Sequence, residues 1–159
     1  MTRWMRALLF SASLVALLVV AGAAGAVYGA AHPSVTGTNT DAYKKTSANV
    51  FLSETGGTKT TIVSILLPAG QWVITGDATI YAPNYGGFVR CAVFKGSTQL
   101  DLQSTFGTLS GINVIGAVKS TSPFAASLKC WDDDSNPIPP DVDSGAVLWA
   151  HKSTSLAGL

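Results

Sequence analysis

Acidic residues are concentrated in one short stretch near the carboxyl end of the chain. Five of the nine acids fall between Asp132 and Asp143, where Asp132, Asp133 and Asp134 are followed closely by Asn136. Closely spaced carboxylate and amide oxygens suit Ca²⁺, which takes about six to eight oxygen ligands. These four residues therefore form a candidate calcium site, although their spacing is not that of an EF-hand loop. The alternative is a solvated loop stiffened by its prolines.

The chain has two histidines, His32 and His151. Cleavage after Ala31 would make His32 the amino terminus, so that its amine and ring nitrogen could bind one metal ion. A second histidine would complete a planar nitrogen set of the kind that suits Cu(II). Such a site resembles those of lytic polysaccharide monooxygenases and small periplasmic copper carriers. The alternative is that both histidines are ordinary surface residues.

The two cysteines are predicted to form a disulfide. Cys91 shares a strand face with Val89 and Val93, and Cys130 shares one with Leu128, so both cysteines should point into the core. Two inward cysteines in an exported chain most simply pair with each other. The alternative is two separate buried thiols.

No motif indicates catalysis. The serine-hydrolase G-x-S-x-G sequence is absent. The strand acids Asp77 and Asp101 could supply the two carboxylates of a glycosidase, but each belongs to the polar face of an alternating strand. We therefore expect a protein that is not an enzyme.

The first 31 residues have the composition of a secretory signal peptide. Arg3 and Arg6 precede a Leu/Val-rich centre and an Ala/Gly-rich tail without acids. The small residues of the tail predict cleavage after Ala26 or Ala31. An uncleaved membrane anchor is the alternative, because the uncharged run is long enough to span a bilayer. Removing residues 1–31 leaves 8 basic and 9 acidic residues. With its lysines mostly scattered singly, such a chain is not expected to bind nucleic acid.

The remaining chain is predicted to be one all-β domain after a flexible lead. Residues 32–48 are rich in Ser, Thr, Gly and Asn, whereas residues 49–159 contain short β-branched and aromatic runs between turn residues. The sequence predicts a two-sheet antiparallel β-sandwich, with helix only in the signal. Short connections at 68–70 and 96–97 are compatible with hairpins. The predicted strands are Asn49–Ser53, Thr60–Leu67, Gln71–Tyr81, Gly87–Lys95, Thr98–Phe106, Ile112–Ser120, Phe124–Asp132 and Gly145–Lys152.

Two segments resemble a known group of jelly-roll modules. The stretch LLPAGQWVITGDATIY (66–81), followed by CAVFKGSTQLDLQST (91–105), is similar to the turn, aromatic strand and hairpin of the C1q and tumour-necrosis-factor group. This resemblance covers about a third of the chain. It implies a sandwich of about eight strands that is often trimeric and serves recognition rather than catalysis.

Three aromatic residues are candidates for a binding surface. Trp131 and Trp149 are each predicted to point outward from their strands, and Tyr85 lies in the loop APNYGG. Because the acidic loop connects the two tryptophan strands, we predict that Trp131, Trp149 and this loop form one functional face. The alternative is that both tryptophans pack at the edge of the sandwich.

Three functions remain open at this point. The first is a secreted, non-catalytic module that binds a glycan or a surface protein through exposed aromatic residues. The second is a self-associating subunit that buries those residues between copies, and the third is a copper protein that uses His32. Membrane contact is expected only through an uncleaved amino terminus.

Overall fold

The computed structural model describes residues 41–83 and 87–156, all of which lie in strands, turns and loops. The predicted signal, its cleavage site and His32 lie outside these residues. Within them, no helix is long and apolar enough to cross a membrane. The strands are β1 (Asp41–Lys45), β2 (Val50–Phe51), β3 (Thr60–Leu67), β4 (Gly70–Tyr81), β5 (Val89–Lys95), β6 (Thr98–Thr105), β7 (Leu109–Ser120), β8 (Phe124–Asp132), β9 (Asp141–Val142) and β10 (Val147–Ser153).

The strands form two antiparallel sheets, which confirms the predicted β-sandwich. In sheet 1, β10 and the short β9 pair in succession along one side of β4, and β7 pairs along the other side. The outer strand positions next to β10 and β9 are taken by β1 and β2. Sheet 2 has the order β3-β8-β5-β6. When β1 with β2 and β9 with β10 are each counted as one interrupted strand, the topology is an eight-stranded jelly roll.

Alternation along each strand places one face in the core. In β4, the even-numbered residues from Trp72 to Ile80 are buried, while Asp77, Thr79 and Tyr81 are exposed. The strand keeps unbroken antiparallel register with β7 from Gly70 to Tyr81. Inward residues of both sheets then form one continuous apolar core, as the period-2 geometry of strands requires.

The disulfide prediction is confirmed. Cys91 of β5 and Cys130 of β8 are register partners in sheet 2, are bonded to each other and are fully buried. The bond therefore joins the two central strands of that sheet from the core side.

Two local predictions are wrong. Residues 41–45, assigned to the flexible lead, form β1, which pairs along its whole length with β10. Alternation is hard to detect in DAYKK because both lysines are polar, but Ala42 points into the core. The connection at 68–70 is not a hairpin, because it leads from β3 in sheet 2 to β4 in sheet 1. The connection at 96–97 does close a hairpin, between β5 and β6.

Four connections meet at one end of the sandwich, which we call the loop end. They are residues 52–59, 82–88, 106–108 and 133–140, of which residues 84–86 are not described. Backbone hydrogen bonds join Ala82 N to Thr108 O and Asp133 N to Phe88 O. Further bonds join the first connection to the last. The loop end is therefore one connected surface rather than four independent loops.

Candidate functional site

Trp131 lies on the outer face of sheet 2, as its alternation with Cys130 predicts, but it is not exposed. Only 7% of its surface is accessible, because it packs in a small cluster with Ala92, Phe94 and Leu102. The ammonium group of Lys59 lies 4.8 Å from the centre of its ring. The predicted exposure of Trp131 is therefore wrong, since its neighbours from other strands cover it, and its role in binding stays a prediction.

An ion pair adjoins this tryptophan. Arg90 Nε lies 2.8 Å from Asp133 Oδ1, and Arg90 Nη2 lies 2.6 Å from Asp133 Oδ2. The hydrogen bond from Arg90 and its positive charge hold the pKa of Asp133 below its ordinary value against the opposing effect of desolvation, and a hydrogen bond from Trp131 also lowers it.

The four predicted calcium ligands do not converge. Asp133 pairs with Arg90. Asp132 Oδ1 accepts a hydrogen bond from Asp134 N at 2.9 Å, and Asn136 Oδ1 accepts one from Ile138 N at 3.0 Å. Within the described ranges, no group of three or more histidine, cysteine or acidic side chains is placed to hold a metal ion. These side chains shape the loop by local turn formation.

Trp149 lies on the opposite side of the molecule, on the outer face of sheet 1. It is 40% exposed and stacks on His151 with 5.8 Å between ring centroids. His151 Nδ1 lies 2.8 Å from Asp41 Oδ1. Because β8 belongs to sheet 2 and β10 to sheet 1, the predicted common face of Trp131 and Trp149 does not exist.

Trp149 belongs to a line of outward residues across all four strand positions of sheet 1, which we call the Trp149 row. The line follows directly from the strand register: Trp149 is opposite Tyr43 on one side and Thr75 on the other, and Thr75 is opposite Ile115. Tyr43 is 59% exposed and Ile115 is 56% exposed. Sheet 1 therefore presents an apolar line to solvent at the middle of its outer face.

The loop end carries the larger collection of exposed apolar side chains. Phe88 and Phe106 contact each other with ring centroids 5.5 Å apart. Tyr81 and Leu109 are register partners at the adjacent end of sheet 1. Ten large hydrophobic residues are exposed in the part of the chain that the structure describes. Three of them lie in the connections of the loop end, namely Phe88, Phe106 and Ile138, and three lie at the strand ends next to them, namely Phe51, Tyr81 and Leu109. Tyr85 belongs to the same connection as Phe88 but lies outside the described residues.

The exposed residues of the loop end were not predicted from the sequence, although the sequence contains a signal for them. Phe88 follows two glycines, Phe106 precedes Gly107, and Ile138 lies between two prolines. Large apolar residues next to turn formers have no strand face on which to be buried. A position beside turn residues therefore indicates that a large apolar side chain is exposed. Strand alternation, which was used for Trp131, is a less direct indicator of exposure.

Close packing fixes the shape of the loop end. Gly56 N donates to Ser135 Oγ at 3.1 Å, and Gly57 N donates to Asp132 O at 2.7 Å. A Cβ atom at Gly56 would lie 2.6 Å from Asp133 O. The first and last connections are therefore in such close contact that only glycine fits at position 56.

The remaining candidates for catalysis among the described residues are an open groove and two strand acids. An open groove of about 350 Å³ lies between residues 44–50 and residues 61–64, with Lys44 and Lys45 as its charged side chains. Asp77 faces outward from sheet 1, whereas Asp101 belongs to β6 in sheet 2 and accepts a hydrogen bond from Ile115 N at 3.4 Å. The two carboxylates considered for glycoside hydrolysis thus belong to different sheets.

This chain is similar to several solved structures of other proteins. No family model matches the chain. No curated protein matches it either. The structure of the infectious bursal disease virus Gx strain gives a TM-score of 0.48 at 14% identity, over 74% of this chain and 35% of that chain. The chain thus spans about a third of the length of that viral protein.

Two further structures are similar over most of their own length. The EclA C-terminal domain, described as a sugar-binding protein, gives a TM-score of 0.39 at 12% identity over 75% of this chain and 84% of that chain. The Stig cyclase Fisc from Fischerella sp. TAU gives 0.41 at 11% identity, over 71% and 75%. These three TM-scores are all below 0.5, so the jelly-roll fold is assigned from the strand pairing of this chain and not from the similar structures. The predicted resemblance to the C1q and tumour-necrosis-factor group is supported only as a β-sandwich.

Proposed function

We propose that this protein is an exported, non-catalytic binding module that attaches to another protein through its loop end. The observation that carries the proposal is the concentration of six exposed large hydrophobic residues on that end. Exposed apolar surface of this kind is costly in a monomer and usually marks an interaction site. Connections held on a rigid β scaffold are also where binding residues are commonly found.

The chemistry of the loop end favours a protein partner over a glycan. Of the six exposed hydrophobic residues, only Tyr81 has a polar side-chain atom with which to hydrogen-bond sugar hydroxyls. Protein interfaces instead combine an apolar and aromatic centre with a charged rim. Here Glu54, Asp134 and the Arg90–Asp133 pair provide charged groups around the apolar residues.

Export is supported by the signal-like residues 1–31 and by the buried Cys91–Cys130 bond. A disulfide forms and persists in oxidising compartments. The module would then meet its partner outside the cytoplasm, on a cell surface or another extracellular structure.

The proposal is tested by the binding of the labelled protein to intact cells of the organism that makes it. Saturable binding should be lost in the Phe88→Ser/Phe106→Ser variant, because both exposed rings are removed without disturbing the core. Leu66→Ser is the matched control, since Leu66 is 40% exposed on the outer face of sheet 2. It should bind like the wild type.

Treatment of the cells identifies the class of partner. Mild proteolysis of the cell surface should remove the binding, and periodate oxidation of surface sugars should leave it unchanged. Loss after periodate alone would indicate a glycan and contradict a protein partner. Equal binding by the Phe88→Ser/Phe106→Ser variant and the wild type would contradict the loop end as the site.

A further inference from the structure

We propose that a second copy of this chain docks on the outer face of sheet 1, centred on the Trp149 row. This surface is distinct from the loop-end residues Phe88, Phe106 and Ile138, so the inference does not depend on the proposed function. The two copies would pack sheet to sheet around a twofold axis parallel to the Trp149 row.

The face has an apolar centre and charged margins. Tyr43, Trp149 and Ile115 are exposed on its middle line. The outward residues two positions before and two positions after the Trp149 row also pair across the four strands. They form two flanking lines, one on each side of the row. One flanking line consists of Asp41, His151, Val73 and Ala117, and the other of Lys45, Val147, Asp77 and Asn113.

A twofold axis along the Trp149 row makes the two charged residues of β1 complementary, while Asp77 of each copy faces Val73 of the other. The rotation places β1 over β1 of the other copy, with the two strands running in opposite directions. The flanking line that contains Asp41 therefore faces the line that contains Lys45 in the other copy. Lys45 of each copy then faces Asp41 of the other, which gives two symmetric ion pairs, as an isologous interface requires. Asp41 can keep its contact with His151, because a carboxylate accepts several hydrogen bonds.

An axis parallel to the strands is less favourable. It would place β1 over β7, so Lys45 would face Asn113 and Asp41 would face Ala117. The four charges would then lie opposite neutral groups. Electrostatic complementarity, which sets orientation at protein interfaces, therefore selects the axis along the Trp149 row.

The size of the face suits a weak dimer. In the selected arrangement, the β4 strands of the two copies overlap from Gln71 to Thr79. This overlap is about 30 Å long at about 3.3 Å per residue. Four strand positions about 4.8 Å apart give a width of about 19 Å. Because β1 and β10 each overlap their counterparts over only five residues, the two copies together would bury about 900 Å², which is the size of a weak, transient contact. Tyr81 and Leu109 lie beyond this overlap, so the loop end would stay accessible.

Sedimentation equilibrium of the protein, purified from the cells that make it, tests the arrangement through a charge exchange. The wild type should form a dimer with a dissociation constant in the micromolar range. Lys45→Asp and Asp41→Lys should each raise that constant by about tenfold or more, because each creates two like-charge contacts. The double variant Lys45→Asp/Asp41→Lys should restore it to within about threefold of the wild type.

Lys119→Asp is the matched control, because Lys119 lies on the same face but opposite Gly111 of the other copy. It should change the dissociation constant by less than about twofold. A monomer at every concentration would overturn the inference. A dimer that both single reversals leave intact, or that the double variant fails to restore, would overturn this arrangement. Phe88→Ser/Phe106→Ser should dimerise normally, which separates this test from that of the loop end.

Discussion

The aromatic residues on the outer face of sheet 2 are covered by other side chains, whereas those on the outer face of sheet 1 are exposed. On sheet 2, Trp131 and Phe94 each lie under a lysine, with Lys59 Nζ 4.8 Å and Lys129 Nζ 5.0 Å from the ring centres. On sheet 1, Trp149 is 40% exposed and its described ring contact is with His151. Both tryptophans point away from the core, so strand alternation alone gives no reason for the difference.

The difference arises from long side chains contributed by neighbouring segments. Lys59 precedes β3, Arg90 belongs to β5 and Lys129 belongs to β8, and together they cover the aromatic surface of sheet 2 with their alkyl stems and charges. The middle of sheet 1 has Thr75 and Val73 at the corresponding central positions, which are too short to do this. We infer that sheet 2 covers its outer aromatic residues, whereas sheet 1 leaves Trp149 available for contact.

The largest expected effect concerns the covalent bond found in sheet 2. Replacing both Cys91 and Cys130 by alanine should lower the free energy of unfolding by about 4 kcal/mol, because the bond closes a loop with a sequence separation of 39 residues. Urea denaturation would measure the change. If the double variant does not fold, reduction of the native protein during denaturation gives the same comparison. A change below about 1 kcal/mol would contradict a structural role for this bond.

The two tryptophans should differ next most strongly. Trp131→Ala should cost about 3 kcal/mol of stability, because it removes a buried ring and leaves a cavity between its neighbours. Trp149→Ala should cost less than about 1 kcal/mol, as expected for an exposed residue. Denaturation at a protein concentration that favours the monomer would measure both, with Trp131→Phe as a variant more certain to fold. Equal costs would contradict the distinction between the two faces.

The Arg90–Asp133 pair should make a smaller contribution that depends on pH. Its side chains are 34% and 32% exposed, so Asp133→Asn should cost less than about 1 kcal/mol at pH 7. Because the folded-state pKa of Asp133 is lowered, this contribution is present above the unfolded pKa of about 3.9 and is lost as pH falls through the folded value.

Urea denaturation at pH 7 and below pH 3 would measure this dependence. Wild type and Asp133→Asn should differ at pH 7 and converge at the lower pH. Asp134→Asn provides the control, since the Asp134 carboxylate makes no ion pair among the described residues. A difference between wild type and Asp133→Asn that grows on acidification would contradict the assigned sign.

The smallest effect is expected at Lys59. Lys59→Met should cost about 0.5 kcal/mol, because it removes the charge above Trp131 but keeps an apolar stem. Lys59→Ser should cost more, since it also uncovers the ring. The same ranking should appear in thermal denaturation. If both variants are as stable as the wild type, the lysine does not cover the tryptophan.

The sequence predicted what depends on local alternation. It identified the sandwich, most strands of the core and the Cys91–Cys130 pair, because period-2 patterns show which residues point inward. It also predicted correctly that Trp149 points outward. These features require no knowledge of which strand lies beside which.

The features it missed depend on contacts between distant segments. The burial of Trp131 depends on Lys59 and Asp133, and the separation of Trp131 from Trp149 depends on which sheet each strand joins. The convergence of Phe51, Phe88 and Ile138 at one end likewise requires the jelly-roll topology. None of these can be obtained from spacing along the chain.

Acrylamide quenching of tryptophan fluorescence tests the contrast between the two faces most directly. The chain that lacks residues 1–31 contains Trp72, Trp131 and Trp149. At a protein concentration well below the dissociation constant of the dimer, Trp149→Phe should remove most of its quenchable emission, whereas Trp131→Phe should leave that emission nearly unchanged. At high concentration, the quenching contributed by Trp149 should fall as the second copy covers it. Quenchable emission that is lost in Trp131→Phe and retained in Trp149→Phe would contradict a covered Trp131 and an available Trp149.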